Sequence, residues 1–344
     1  MKVLVFGAGA MGTYIGGSLA LKGSRVAFIE REEVCRFIVD KGLHLEINGI
    51  ISTICQPEVF TSLEQALLTY TFDVAIIAVK SNDTNTLIQS VAPYKSQMPP
   101  VLCLQNGVEN EAILAATLGG DKVIPGTVTS AVGRRNVGDI ILEKKRGVGI
   151  TSTHQISRYL TNELNGADLN AHLYRDPKSL KWSKMITNLL VNATSAILNM
   201  APAEIIRHPE LFKLEVRQLR EAFYVMKTLG IQTINLPKVP VRVLAFCVEV
   251  LPYTLSRLIL SKVVGSGRGG KMPSFHIDLY SGKGMSEVEY LNGAVVRFGK
   301  QMGINTPVNY ALNQILLDLV NKNLPLQTYD HQPAKLLAAI NCFE

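Results

Sequence analysis

The N-terminal stretch MKVLVFGAGAMGTYIGGSLALKGSRVAFIER constrains the fold of this chain more than any other. It opens with a fully apolar run, Val3 to Phe6, continues through Gly7, Gly9 and Gly12 into a helical pattern ending at Gly23, and closes on a second apolar run, Val26 to Ile29. Strand, glycine turn, helix, strand is the βαβ context in which a glycine pattern becomes specific. Gly7 permits the tight turn, Gly9 lets backbone approach a pyrophosphate, and Gly12 lets the helix pack closely on the strand. The helix N-terminus then supplies amide donors to the anion. The expectation is a dinucleotide site at the start of a parallel sheet.

The end of the second strand carries contradictory information about that dinucleotide. An acid at the Glu30 position accepts the ribose 2′-hydroxyl of NAD, whereas an arginine such as Arg31 accommodates the 2′-phosphate of NADP. Further along, Thr61-Ser62-Leu63-Glu64 looks like a capping box opening a short helix. Phe72 to Ser81 (FDVAIIAVKS) and Val101 to Asn110 (VLCLQNGVEN) read as buried parallel strands that end in Lys80 and in Asn106-Gly107. In an open α/β sheet the ligand lies outside the carboxyl ends of the strands, where Lys80 and Asn106 emerge. From Val123 the pattern shifts to short alternating strands, which predicts a mixed or antiparallel edge on the sheet, with Lys144, Lys145 and Arg146 in a solvated hairpin turn.

After a last strand near His172 to Tyr174, Asp176-Pro177 marks the change to helical patterns, so the expected domains are 1–176 and 177–344. The second of these opens with KWSKMITNLLVNATSAILNM, Lys181 to Met200, read as one long helix buried nearly all round. On it Lys184, Asn188 and Asn192 recur every four residues and fall on one slowly drifting stripe. A buried lysine and two buried asparagines are costly unless something hydrogen-bonds them, and structural caps or an anionic or carbonyl ligand would both do so. Further helices are expected at about Pro209 to Leu229, Val241 to Val263, Glu287 to Met302 and Pro307 to Asn323. Between the second and third lies a glycine-rich basic stretch, read as a flexible loop around a fixed Ser274. Glu287 stands at a helix start, where a first-turn acid is favoured by the helix dipole.

Composition narrows the class. Of 344 residues, 47% are hydrophobic and 18% charged, which describes a well-packed globular chain of two-domain size. The net charge of +7 comes without a long basic run or stacking motif, and it points to small anions rather than nucleic acid. Five widely spaced cysteines fit reduced, cytoplasmic usage. Met1 runs directly into a strand, leaving no room for a signal segment, and the apolar run Val239 to Val264 is interrupted by Arg242, Glu249, Pro252, Arg257 and Lys262, too often for a membrane span. The six histidines show no ligand spacing, so no metal is expected.

GAGAMG, AVKS with Lys80, LQNG with Asn106, WSKMITNLLVNATSAI, PSFHID with Ser274 and SEVEYLNG with Glu287 occur in the order and character of the ketopantoate reductases (2-dehydropantoate 2-reductases). The resemblance spans Met1 to about Leu319, and the K-x3-N-x3-N helix with the S-E-x-E-Y-x-N-G box makes it specific. It implies an α/β N-terminal Rossmann-type domain followed by an all-α C-terminal domain, and the NADPH-dependent reduction of 2-dehydropantoate to pantoate in pantothenate and coenzyme A biosynthesis. Carried over to this sequence, it implies Lys184 as proton donor with Glu287 in the catalytic site. Substrate contacts are implied from Asn106, Lys184, Asn188, Asn192 and Ser274, and cofactor contacts from Gly7, Ala8, Gly9, Ala10, Met11, Gly12, Arg31, Lys80, Asn106 and Glu287. NADP(H) is the implied cofactor, with NAD(H) left open by Glu30, and a small 2-keto acid is the implied partner, with neither nucleic acid nor membrane. A homodimer is left open. The chain departs from the family pattern at Pro202, in a loop one residue longer before Glu287, and in a larger, more apolar segment from Val239 to Gly269.

The chemistry suits these residue types. Reducing a 2-keto acid needs hydride at the carbonyl carbon and relief of charge on its oxygen, and a lysine can hydrogen-bond that oxygen and release a proton to it. Burial should lower the pKa of Lys184, and a nearby Glu287 should oppose that shift. Asparagine and serine bind a carboxylate or hydroxyl without adding charge. A related reductase acting on another 2-keto acid or imine, and a non-catalytic nucleotide-sensing protein, are the alternative readings.

Overall fold

The computed structural model describes residues 1–268, 272–282 and 284–343. The chain forms two compact units, one of Met1–Gln105, Glu109–Lys181 and Leu236–Val239, the other of Asn106–Val108, Trp182–Asn235 and Pro240–Glu344.

The first unit is an α/β sheet structure. Its strands are β1 (Lys2–Phe6), β2 (Arg25–Ile29), β3 (Leu43–Ile47), β4 (Ile50–Ile54), β5 (Glu58–Phe60), β6 (Val74–Ile77), β7 (Val101–Cys103), β8 (Val123–Val128), β9 (Ala131–Asn136), β10 (Asp139–Lys144), β11 (Val148–Thr151) and β12 (Ala171–Tyr174). The main sheet has the order β12-β11-β8-β7-β6-β1-β2-β5, parallel throughout except where β11 runs antiparallel to β8. Alternate residues of β1 build the two cores: Val3 and Val5 enter one cluster with Tyr14, Ile15 and Leu19, whereas Leu4 and Phe6 enter the other with Ala75, Ile77 and Leu114. A parallel strand buried on both faces therefore reads as a continuous apolar run.

The alternating strands after Val123 do not all extend this sheet. β9 and β10 join β3 and β4 in a separate four-stranded sheet of order β4-β3-β10-β9, so of these alternating strands only β8 and β11 extend the main sheet, with β12 outermost. Nor is the basic cluster a plain solvated turn. Lys145 pairs with Asp168, and half-buried Arg146 donates through Nη1 to the Thr129 carbonyl at 2.9 Å, while desolvation lowers its pKa. The capping serine of the helix Leu63–Thr69 is Ser62, which accepts the Gln65 N–H at 3.3 Å, one residue later than the box reading placed it.

The second unit is helical. Helices run Pro209–Thr228, Val288–Gln301 and Pro307–Val320, close to their expected spans. Two expectations for the segment after Val239 fail. The apolar segment after Val239 is two helices, Val241–Glu249 and Tyr253–Arg268, separated at Pro252, because proline has no N–H to continue the ladder. The glycine-rich stretch is largely helical too: Gly265 to Arg268 close the second of these helices, and Ser274–Tyr280 is a helix of its own. The Gly269–Lys271 part of the expected loop, and Lys283, lie outside the described residues. Among the described residues no helix is long and apolar enough to cross a membrane.

Candidate active site

The glycine turn at the carboxyl end of β1 has the geometry its residues predict. Gly7 sits at φ +96°, a conformation that side chains rarely adopt, and a Cβ on Gly12 would lie 1.7 Å from the Gly7 carbonyl oxygen. A Cβ on Gly9 would meet nothing within 4 Å, so the backbone there faces open space. The helix Ala10–Leu21 begins at Gly9 with no side-chain cap and no acid in its first turn. Its leading amides suit an anion. The chain leaves β1 towards β2 on one side and takes up β6 on the other, so the turn stands at the topological switch point of the sheet. Lys80, half-buried, follows β6 on the same edge. A pyrophosphate-bearing cofactor fits this cradle.

Glu30, at the end of β2, folds back over the glycine turn. Its Oε1 accepts the Ala8 N–H at 2.7 Å and its Oε2 accepts the Arg31 N–H at 3.2 Å. Arg31 is exposed and forms the N-cap of the helix Glu32–Lys41.

A buried network that sequence reasoning missed supports this edge. Lys181, 5% exposed, pairs with Glu111 at 2.6 Å and donates to the carbonyls of Gln105 (2.6 Å) and Gly126 (3.2 Å). Gln105 in turn donates to Thr84 Oγ1 at 2.9 Å and to the Lys80 carbonyl at 3.1 Å. A lysine in so apolar a setting is tolerated because its donors all have acceptors. The signal was present in Lys181 itself, which precedes the apolar helix face.

In the second unit, the expected single helix from Lys181 to Met200 is two. Pro177–Leu189 carries Lys184 and Asn188, Asn192–Leu198 starts with Asn192, and Val191 between them stands at φ 54°, ψ 17°. For a β-branched residue this left-handed conformation is an outlier. It is held by Glu215, which is 0% exposed: Oε2 accepts the Val191 N–H at 2.7 Å and Oε1 accepts the Thr194 hydroxyl. Gln218 Nε2 donates to the Leu189 carbonyl at 3.2 Å, at the end of the first helix. Glu215 and Gln218 lie on the helix Pro209–Thr228 among Leu211, Phe212, Leu214, Val216 and Leu219, all buried. A charge on the apolar stripe of an amphipathic helix was the legible sign of such a role. Burial on the first helix is also less uniform than expected. Lys181, Trp182, Ser183, Met185, Ile186 and Leu189 are buried, whereas Lys184, Thr187 and Asn188, at helical spacing, form a half-buried strip.

Around that strip the expected polar residues fall into two bonded groups. Asn188 Nδ2 donates to Asn106 Oδ1 at 3.0 Å, and Asn106 Nδ2 donates to Glu287 Oε2 at 3.2 Å. Glu287 is 5% exposed and forms the N-cap of Val288–Gln301 rather than lying inside its first turn. Separately, Asn192 Oδ1 accepts the Phe275 N–H at 3.1 Å and its Nδ2 donates to Ser274 Oγ at 3.3 Å. Asn192 thus holds the start of the helix Ser274–Tyr280 and presents an exposed Ser274. The helix break is what turns Asn192 to that second task. Among the described residues, no group of three or more His, Cys, Asp or Glu could hold a metal ion.

Known proteins with this pattern were found by comparison. The model of the family "Ketopantoate reductase PanE/ApbA" matches residues 3–153 and that of its C-terminal domain matches residues 176–320. The 2-dehydropantoate 2-reductase of Archaeoglobus fulgidus is 26% identical over 326 residues, covering 93% of this chain and 96% of that protein. The one of Pyrococcus abyssi is 27% identical, covering 91% and 95%. Among solved structures, a PanE/ApbA family ketopantoate reductase from Ralstonia eutropha JMP134 superposes with a TM-score of 0.79 at 25% identity, covering 94% of this chain and 99% of that one. A D-mandelate dehydrogenase solved with NADH and anilino(oxo)acetate shares the fold, with a TM-score of 0.78 at 21% identity over 94% of this chain and 100% of that one.

Proposed function

Because the chain belongs to the ketopantoate reductase family, a family of oxidoreductases, we propose that it reduces a small 2-keto acid with a nicotinamide cofactor, and that this acid is 2-dehydropantoate, reduced to pantoate. That reaction places it in pantothenate and coenzyme A biosynthesis. The observation that carries the reading is the line Asn188–Asn106–Glu287 one helical turn from Lys184. It supports the reading because Lys184 shares the half-buried helical strip with Asn188, whose amide is oriented by that line, and an ammonium beside oriented amides suits a keto acid.

The cofactor cradle is the turn from Gly7 to Gly12, with Lys80 on the same edge of the sheet; a bound reduced nicotinamide supplies the hydride. Lys184 supplies the rest of the chemistry. As the keto carbon is reduced, the C=O electron pair moves onto oxygen, and the ammonium stabilises that charge and transfers its proton there, leaving a neutral amine. Glu287 is the orienting acid. A carboxylate accepts only, so it fixes the NH2 end of the Asn106 amide towards itself and the carbonyl end towards Asn188. Asn188, having donated, offers its carbonyl to a substrate hydroxyl. Ser274 Oγ accepts from Asn192, which leaves its own O–H as a donor that suits the substrate carboxylate.

The test is steady-state consumption of NADPH and of NADH with ketopantoate, pyruvate, 2-ketoisovalerate and the keto acid corresponding to mandelate. The expected result is the highest kcat/KM with ketopantoate. A higher value with another acid overturns the substrate, and no turnover with any acid overturns the reductase reading in favour of a nucleotide-sensing protein.

A further inference from the structure

The corner that would receive the adenosine ribose is acidic. Between residues 30 and 36 the chain reads Glu-Arg-Glu-Glu-Val-Cys-Arg, three carboxylates against two guanidinium groups. Arg36 is engaged by Glu32 in an i,i+4 pair. Glu32 and Glu33 occupy the first turn of the helix Glu32–Lys41, where the amide ends would otherwise favour a phosphate. Glu30 is fixed more firmly than these, since its two oxygens take the Ala8 and Arg31 amides and bridge the glycine turn to the start of that helix. With Arg36 and Glu32 offsetting each other, Arg31 is left as the cation against the fixed Glu30 and the first-turn Glu33, and both Arg31 and Glu33 are exposed and screened by solvent, whereas Glu30 is half-buried and held in place.

A ribose 2′-hydroxyl donates to a carboxylate in this position, whereas a 2′-phosphate brings between one and two further negative charges against it. One exposed guanidinium does not offset that repulsion. We propose that Glu30 selects the ribose 2′-hydroxyl, so that this chain takes NADH in preference to NADPH, the reverse of what the resemblance implies. The proposal rests on the nicotinamide-dependent reading above and deepens it.

Direct binding tests it without turnover. Titration calorimetry of the full chain with NADH, NADPH, 5′-AMP and 2′,5′-ADP reads the preference and locates it at the 2′ position. The expected result is tighter binding of the unphosphorylated member of each pair, by roughly tenfold or more, the worth of a hydrogen bond to a charged group. Glu30→Gln keeps an acceptor for the Ala8 amide while removing the charge, and should narrow the gap chiefly by tightening NADPH. Arg31→Ala should weaken NADPH and leave NADH unchanged. Equal or tighter binding of NADPH by the unaltered chain overturns the proposal, and binding of neither cofactor overturns both it and the reading beneath it. Tighter NADH binding without turnover of any keto acid upholds this proposal and counts against the proposed reaction.

Discussion

Glu215 accepts the backbone N–H of Val191 at 2.7 Å from inside the second unit, and Val191 is the left-handed residue that separates the helix of Lys184 and Asn188 from the helix of Asn192. A carboxylate distant in sequence thereby decides where a helix stops. Glu215→Ala strands a buried amide and a buried hydroxyl, and each orphaned group costs about 1–3 kcal/mol. Urea unfolding should show a loss of about 2–6 kcal/mol, and a loss below about 2 kcal/mol would mean that the break is held by packing alone.

Lys184→Ala should lower kcat by on the order of 10²-fold or more while leaving the dissociation constant of the cofactor nearly intact, since the cradle for the dinucleotide is the Gly7–Gly12 turn. Near wild-type turnover in this variant would remove Lys184 from the role of proton donor.

Asn106→Asp replaces the donor facing Glu287 by a second carboxylate. Like charges at hydrogen-bond distance raise the pKa of the coupled pair, so the variant should show a new ionisation in the pH profile of kcat/KM, with activity falling as that pair loses its shared proton. An unchanged profile would indicate that Asn106 and Glu287 do not touch in the working enzyme.

His276 bonds Asn199 at 2.7 Å, stacks on Tyr280, and has its pKa lowered from 6.5 by desolvation. The folded state thus binds the proton less readily than the unfolded chain, and stability rises with pH between the depressed value and 6.5. Acidification from neutral pH through 6.5 should narrow the stability advantage of the wild type over His276→Gln, by at most about 1.4 kcal/mol per pH unit. A pH-independent difference between the two proteins would show that the ring titrates as it does in the unfolded chain.

What the sequence by itself determined lies in short-range pattern. Val3 to Phe6, the three glycines of the turn and Val26 to Ile29 specify strand, turn and strand through residues adjacent in the chain, so β1, β2 and the cradle between them were legible. Lys184, Asn188 and Asn192 could be picked out as well, because a polar residue in apolar surroundings demands a partner wherever that partner lies, whereas Ser274 and Glu287 entered as site residues through the family resemblance. The partners themselves were decided by tertiary structure. The helix pattern of Lys181 to Met200 contains no proline or glycine that would end it, and only Glu215, brought in by another helix, makes the left-handed turn at Val191 affordable and so assigns Asn192 to Ser274. Alternation likewise marked β9 and β10 as strands but not as members of the second sheet, because an alternating strand satisfies its hydrogen bonds on any compatible edge, and which edge is near depends on the whole chain.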